Sequence, residues 1–372
     1  MRICFFADAA NYHTRKWVSY FSGIGCDVHV LTLAQCDDDT YPQSNVSIHW
    51  LVNSSDKTSG DLNKLSYLST ICQAKLLLEQ INPDVVHAHY ASSYGLVCAL
   101  SCSKPFYLSV WGKDIYEFPK KSILHKACIK YVLRKATWIF STSYVMERET
   151  KKYTEKQIAI TPFGVDMSLF SPSYEKEKEP NKLVIGTVKA LEKKYGIDVL
   201  LKAIPSIVDS FNDREVEVRI AGKGRYETEL KALSNRLGIE AHVVWLGFIS
   251  QEEAAEAWRS FDIAVVPSVD ESESFGVSAV EAQACGTPLV VSDVPGLMEA
   301  CNGGRSAVVV PRNDAGSLAK AIVALANDPF KRQELSSKGR EYVMREYELD
   351  HCFSKVVEAY RSHFADADNV LE

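Results

Sequence analysis

Two glutamates eight positions apart, Glu273 and Glu281, bracket the segment Glu273-Ser-Phe-Gly-Val-Ser-Ala-Val-Glu281. Upstream, Ile263-Ala-Val-Val-Pro267 reads as a buried strand, followed by a polar, acidic loop to Ser274. Phe275-Gly276 then opens a helix reaching about Cys285, and Gly286-Thr-Pro-Leu-Val-Val begins the next strand. The amides of Phe275, Gly276 and Val277 therefore fall at a helix N-terminus behind a strand. Free N–H groups and the helix dipole favour a phosphate there, and Gly276 permits close backbone approach. Glu281 is placed to hydrogen-bond a ribose diol, and Glu273 a sugar hydroxyl. Spacing alone carries little: a chain with 48 acidic residues yields such pairs near the level of chance. An acidic loop and a solvated helix face would fit the spacing equally well. The strand–loop–helix context is what favours a site.

Three histidines come next. His87 and His89 end a strand in Val86-His-Ala-His-Tyr90, and His13 follows the first strand in Asn11-Tyr-His-Thr-Arg15. They are candidates for polar residues of a cleft. A bare His-x-His suggests a metal only with a carboxylate or cysteine cluster beside it. None is evident, so neither metal nor cofactor is expected. Asp37-Asp-Asp39 reads as a solvated charge run. Residues 120–135 form a basic amphipathic helix, with Lys126, Lys130 and Arg134 on one stripe and Leu124, Cys128 and Tyr131 nearer the other side. A plain surface helix and a contact with an anionic membrane both fit it.

Two series of alternating strands and helices position these residues. The first has strands at 3–7, 27–33, 84–87, 106–110, 138–142 and 157–161. The second has them at 183–188, 217–221, 242–246, 263–267, 288–292 and 307–310, and helical patterns follow from about Ala315. Such alternation implies parallel, doubly wound α/β sheets. Between the series, residues 171–180 are charged and bracketed by prolines, as in an exposed linker. At 372 residues, two domains are the natural division: 1–170 and 181–349, with a last helix over 350–372 packing back onto the first. Ligands in open α/β sheets bind at the carboxyl ends of the strands, and a cleft between two such halves is expected.

The bulk numbers are those of an ordinary globular chain, 46% hydrophobic and 24% charged. A net charge of −6 argues against a general nucleic-acid binder. The ten cysteines lie mostly in apolar contexts and read as free, packed thiols of a reducing compartment. The N-terminus is too short in apolar residues for a signal peptide, and no run approaches the roughly 18 residues needed to cross a bilayer. The expectation is a cytoplasmic protein, with a peripheral contact at the inner membrane face left open.

The segment 273–281 resembles the Glu-x7-Glu signature of retaining GT-B glycosyltransferases of family four, and further motifs follow in the same order. Thr161-Pro-Phe-Gly-Val-Asp166-Met-Ser-Leu-Phe170 resembles the family's Pro-x-Gly-Val-Asp-x-x-x-Phe at the end of the first domain. Gly186-Thr-Val-Lys189-Ala-Leu-Glu-Lys-Lys194-Tyr-Gly196 resembles its Gly-Arg-x4-Lys-Gly phosphate element, with Lys189 in place of Arg and Tyr195 additional. Ala221-Gly-Lys-Gly224 is similar to its glycine-rich turn, and Leu246-Gly-Phe-Ile to a segment near the base. Leu108-Ser-Val-Trp111-Gly-Lys-Asp114 resembles a His-Gly-x-Asp loop, with Trp111 where the family often has its active-site His.

What the resemblance implies is a GT-B enzyme of two Rossmann-like domains that transfers a sugar from a nucleotide-sugar, UDP-linked by preference and GDP-mannose second. The acceptor would be a glycan or a lipid-linked group of surface polysaccharide or glycoconjugate synthesis. Lys189, Lys194, Gly222, Gly224, Phe248, Phe275, Gly276, Val277 and Glu281 would bind the donor. Glu273 and Asp114 would act in catalysis, with capping as the other reading of Asp114. His13, His87, His89 and Trp111 would lie on the acceptor side. In the family's proposed front-face mechanism the leaving phosphate takes the acceptor proton, so a tryptophan at 111 is tolerable. A sugar-nucleotide epimerase or hydrolase, and a catalytically weak sugar-nucleotide-binding partner subunit, remain alternatives.

Overall fold

The computed structural model describes residues 1–34, 36, 40–51, 70–172, 181–211 and 213–368, with side chains to 362. The chain divides into two compact units. One is Met1–Pro162 together with Phe353–Glu372, and the other is Phe163–Cys352.

The first unit holds a parallel sheet of seven strands: β1 (Arg2–Phe6), β2 (Asp27–Thr32), β3 (Val46–Trp50), β4 (Val85–His89), β5 (Tyr107–Val110), β6 (Trp138–Ser141) and β7 (Ile158–Ile160). Their spatial order is β3-β2-β1-β4-β5-β6-β7. The order reverses direction between β1 and β4, where Cys4 pairs with Val86 and Phe5 with His87. Six of these strands correspond to the sequence expectation. β3 is the seventh, an edge strand whose residues are half-buried and whose Trp50 is exposed. Its apolar signal is correspondingly weak.

The second unit holds a parallel sheet of six: β8 (Lys182–Val188), β9 (Glu215–Ala221), β10 (Val243–Gly247), β11 (Ile263–Val266), β12 (Leu289–Ser292) and β13 (Val308–Val310), in the order β10-β9-β8-β11-β12-β13. Here the reversal lies between β8 and β11, with Ile185 opposite Ile263 and Gly186 opposite Ala264. Valine- and isoleucine-rich strands covered on both faces explain the near-continuous apolar runs. Gly186 is fully packed under Phe261, whose ring stands 2.3 Å from where a Cβ would be.

The first unit ends before the expected residue 170, and the last helix packs back onto it as expected. The segment from Phe163 belongs to the second unit: the Val165 amide donates to Tyr347 O at 2.7 Å, the Leu349 amide to Val165 O at 3.1 Å, and the Phe163 ring meets Phe275. The chain rejoins the first unit at Phe353, within the helix Leu349–Asp368. There Phe353 stacks on Tyr20 at 4.6 Å and Tyr360 is fully buried. The linker 171–180 lies almost wholly outside the described residues, as does Asp37-Asp-Asp39. None of the ten cysteines is in a disulfide.

The helix Ile123–Lys135 buries Ile129, Val132 and Leu133. Leu124, expected on the inner side, is instead 80% exposed beside Ile123 at 87%. Buried residues three and four apart set the inner face, and the first turn extends past it. Among the described residues, no helix is long and apolar enough to cross a membrane.

Candidate functional site

At the strand-order reversal of the second unit, two loops are pressed together. The loop after β8 carries Lys189 and Lys194, and the loop after β11 carries Glu273. Lys189 Nζ lies 2.8 Å from a Glu273 carboxylate oxygen, both side chains being over nine-tenths buried. Lys194 Nζ donates to Ser272 Oγ at 3.1 Å, and the Val269 amide donates to Lys194 O at 2.9 Å. Tyr195, additional to the family's spacing, is the aromatic both lysines share: their ammonium groups stand 4.4 and 4.9 Å from its ring centroid. A quadrupole facing two cations offsets part of their repulsion. In the sequence its only signal is an aromatic between a lysine and a glycine.

Gly222 and Gly224 were expected to touch the donor. The structure gives them another duty. A Cβ on Gly222 would stand 1.9 Å from Lys189 O, and one on Gly224 2.2 Å from Leu191 O. Gly222 adopts φ +136°, open to glycine. The Lys189 amide donates to Ala221 O and the Leu191 amide to Lys223 O. These glycines let one loop lie on the other and thereby aim Lys189.

The helix after β11 spans Val277–Ala284, with Gly276 as its N-cap at φ +75° and no side-chain cap bond. Its first-turn amides are directed outward by helix geometry. The alternative of a solvated helix face does not hold: Ser278 to Ala284 are all buried. Glu281 is 7% exposed, and the Trp258 indole donates to it at 3.4 Å. Phe275 is also buried, packed edge-on against Phe163 and Tyr347. Its ring is structural, leaving only its backbone for a ligand. Phe248, just past β10, is 76% exposed, with a ring face available for stacking.

The first unit has its own concavity at its own reversal point. A cavity of about 400 Å³ is lined by residues following β1 (Asp8, Asn11), β2 (Leu33, Ala34), β4 (Tyr90, Ser93, Tyr94) and β5 (Trp111), and by His89 at the end of β4. Trp111 and His89 are neighbours, ring centroids 4.7 Å apart, and His13 lies 6.0 Å from Trp111. His89 is buried, and neither ring nitrogen has a hydrogen-bond partner among the described residues. Burial, and secondarily His13, lowers its pKa to about 3, so it is a neutral imidazole.

Two expectations for this unit change. His87 is fully buried, with Nδ1 paired to the Tyr360 hydroxyl and Nε2 2.8 Å from Ser109 Oγ. Both nitrogens are spent on the core, so it meets no ligand. Asp114, expected in catalysis, is also fully buried. Its Oδ2 accepts from the Ala91 amide at 2.9 Å, and its Oδ1 from the Gly112 and Trp111 amides at 2.8 and 3.3 Å. It clasps the loops after β4 and β5 and is a positioning residue for Trp111. Among the described residues, no group of three or more His, Cys, Asp or Glu side chains is arranged to hold a metal ion.

Comparison with known proteins places this geometry. Residues 172–342 match the family of glycosyl transferases group 1, and residues 2–143 match the glycosyl transferase 4-like family. The chain is 34% identical over 195 residues to D-inositol 3-phosphate glycosyltransferase 2 of Catenulispora acidiphila, covering 49% of this chain and 45% of that one. It thus spans about half the length of that relative. Among solved structures, sucrose-phosphate synthase from Thermosynechococcus elongatus superposes with a TM-score of 0.85 over 98% of this chain and 100% of its own, at 18% identity. Anabaena HepE, solved in complex with UDP-glucose, gives 0.79 over 97% and 100%, also at 18%. With both sheets and both family matches accounted for, the chain belongs to the GT-B glycosyltransferases of the group 1, family-four type.

Proposed function

We propose that the chain is a retaining glycosyltransferase moving a hexosyl or N-acetylhexosaminyl group from a nucleotide-sugar to a glycan or lipid-linked acceptor of surface-polysaccharide or glycoconjugate synthesis. The observation that carries this is the buried Lys189–Glu273 pair at the strand-order reversal, with Lys194 and an uncapped helix N-terminus in the same unit. In this reading the donor diphosphate lies against Lys189, Lys194 and the first-turn amides. Phe248 stacks on the base, Glu281 meets the ribose, and Glu273 holds a hydroxyl of the sugar.

As the bond from the anomeric carbon to the phosphate oxygen breaks, negative charge collects on the diphosphate, where fixed cations and amides stabilise it. The acceptor oxygen bonds to the anomeric carbon on the same face. Its proton passes to the departing phosphate oxygen, so position 111 needs no imidazole. The lysines supply the positive charge, and we expect turnover to be unchanged by EDTA. A UDP-sugar is favoured as donor, a preference that the HepE complex with UDP-glucose supports at the level of the fold.

Thermal stabilisation by a panel of UDP- and GDP-sugars tests donor binding, since a ligand of the native state raises stability with its affinity. NMR of the product's anomeric configuration then tests retention. Stabilisation without turnover over any acceptor would leave a binding partner subunit. Turnover without acceptor would point to a hydrolase or epimerase.

The exposed Ile123 and Leu124, beside the exposed Lys126 and Lys130, support a peripheral contact with an anionic membrane. Co-sedimentation with phosphatidylglycerol vesicles that survives Ile123→Ser/Leu124→Ser would remove it.

A further inference from the structure

The relative of Catenulispora acidiphila is named for a phosphorylated inositol, which makes the charge of the first unit's cavity a question of specificity. The cavity lies at the carboxyl ends of the strands where their order reverses, the usual ligand crevice of such a sheet. Its volume of about 400 Å³ falls in the range of small-molecule sites.

Two helix N-termini reach it. Asn11 caps the helix Tyr12–Gly23 and Ser93 that of Tyr94–Ser101, and both line the wall. Each terminus is worth roughly half a positive charge, together about one. Asn11 Oδ1 already accepts from the His13 amide at 2.8 Å, which uses part of the first. Against them stand the full charge of Asp8 in the wall and the buried Asp114 carboxylate behind it. Asp114 reaches the wall electrostatically: after burial, it is the next cause raising the Tyr90 phenol pKa. No Lys or Arg lines the cavity among the described residues. Among the described residues that line the cavity the one charged side chain is thus the acidic Asp8, so the wall holds no cation to pair with a phosphate carrying up to two charges.

What the wall offers instead suits a hydroxylated ring. Trp111 and Tyr90 provide aromatic surface, and Asp8 and Asn11 provide polar side chains.

We propose that this cavity binds an uncharged sugar or polyol ring of the acceptor, stacked on Trp111 and hydrogen-bonded to Asp8, and that it discriminates against the phosphorylated form of the same ring. The inference rests on the transferase reading for the word acceptor, but the binding preference does not depend on it.

The test uses the full chain without donor. Tryptophan fluorescence or saturation-transfer NMR is titrated with two matched pairs: methyl α-D-glucopyranoside against glucose 6-phosphate, and myo-inositol against inositol 3-phosphate. Saturable millimolar binding of at least one neutral member is expected, with its phosphorylated partner about ten-fold weaker or more, equivalent to ~1.4 kcal/mol. Trp111→Ala abolishes the neutral binding while leaving UDP affinity in place. Ser93→Arg, which adds a cation to the wall, narrows or reverses the preference, and it decides the matter should Trp111→Ala not fold. Equal or tighter phosphate binding, no saturable binding of either neutral probe, or a folded Trp111→Ala that still binds would each overturn the proposal. A chain that discriminates between the pairs but binds no UDP would fail as a transferase while keeping this cavity.

Discussion

The two units place ligands' worth of chemistry at the same topological position and fill it in opposite ways. At the reversal between β8 and β11, a buried Lys189–Glu273 pair, a second lysine and an uncapped helix start form the anion site of the proposed donor reading. At the reversal between β1 and β4, aromatic rings, a neutral imidazole and an aspartate form the proposed site for an uncharged, hydroxylated ring. The architecture decides where a ligand can go, and the side chains decide its charge.

The sharpest way to break this contrast is at Lys189. Lys189→Ala removes a charge from the diphosphate and leaves Glu273 buried without its partner. Stability is expected to fall by about 3–5 kcal/mol, and kcat/KM by roughly 10³-fold. Glu273→Gln, which keeps the shape, is expected to lower kcat with UDP affinity changed only a few-fold. If both variants turn over normally, the second unit's pair is structural and the donor assignment falls.

Next in size is Asp114. It accepts three backbone amides while fully buried, so Asp114→Ala strands those donors and is expected to cost about 3 kcal/mol or more of stability. Sugar binding in the first unit should weaken as Trp111 loses its support, while UDP binding holds. A loss of kcat in a variant of unchanged melting temperature and unchanged sugar affinity would restore a catalytic role.

How far each unit was legible in the sequence follows from where its partners lie. Glu273, Phe275, Gly276 and Glu281 sit within one strand–loop–helix stretch, and local chemistry identified it. Lys189 and Lys194 come from another stretch, found by resemblance. Contacts across the sheet stayed hidden: nothing near Glu281 in sequence announces the Trp258 indole that bonds it, and nothing near Gly222 announces Lys189 O packed over it. The first unit suffers more, because its decisive contacts are remote. Tyr360 lies 273 positions from His87, and Ala91 lies 23 from Asp114. A histidine at a strand end looks the same in sequence whether both nitrogens are bonded, as in His87, or neither is, as in His89.

The same two histidines make the first unit acid-sensitive. Burial holds both folded pKa values down, that of His89 to about 3, against about 6.5 unfolded. Below pH 6.5 the unfolded chain takes up protons that the folded chain refuses, so unfolding is favoured as pH falls. Their contribution is complete above about 6.5 and is lost progressively toward 3. Hydrogen exchange followed segment by segment is expected to show β1 and β4 opening at higher pH than β8 and β11, and His89→Gln should lower that pH. Coincident opening of both sheets would dissolve the distinction.

The smallest expected effect lies at Tyr195, whose ring faces both ammonium groups. An aromatic face is worth about 0.5–1 kcal/mol beside an exposed cation and about 2 kcal/mol beside a desolvated one. Tyr195→Leu keeps a side chain of similar reach and both charges, so the Lys189–Glu273 contact should persist. The two lysines then repel without the ring between them, and donor affinity is expected to fall only a few-fold, with kcat nearly unchanged. Tyr195→Phe, which keeps the quadrupole and drops the hydroxyl, should match the parent. If Phe and Leu weaken UDP binding equally, the hydroxyl and not the ring is the contribution, and Tyr195 belongs with the ligand contacts rather than with the lysines.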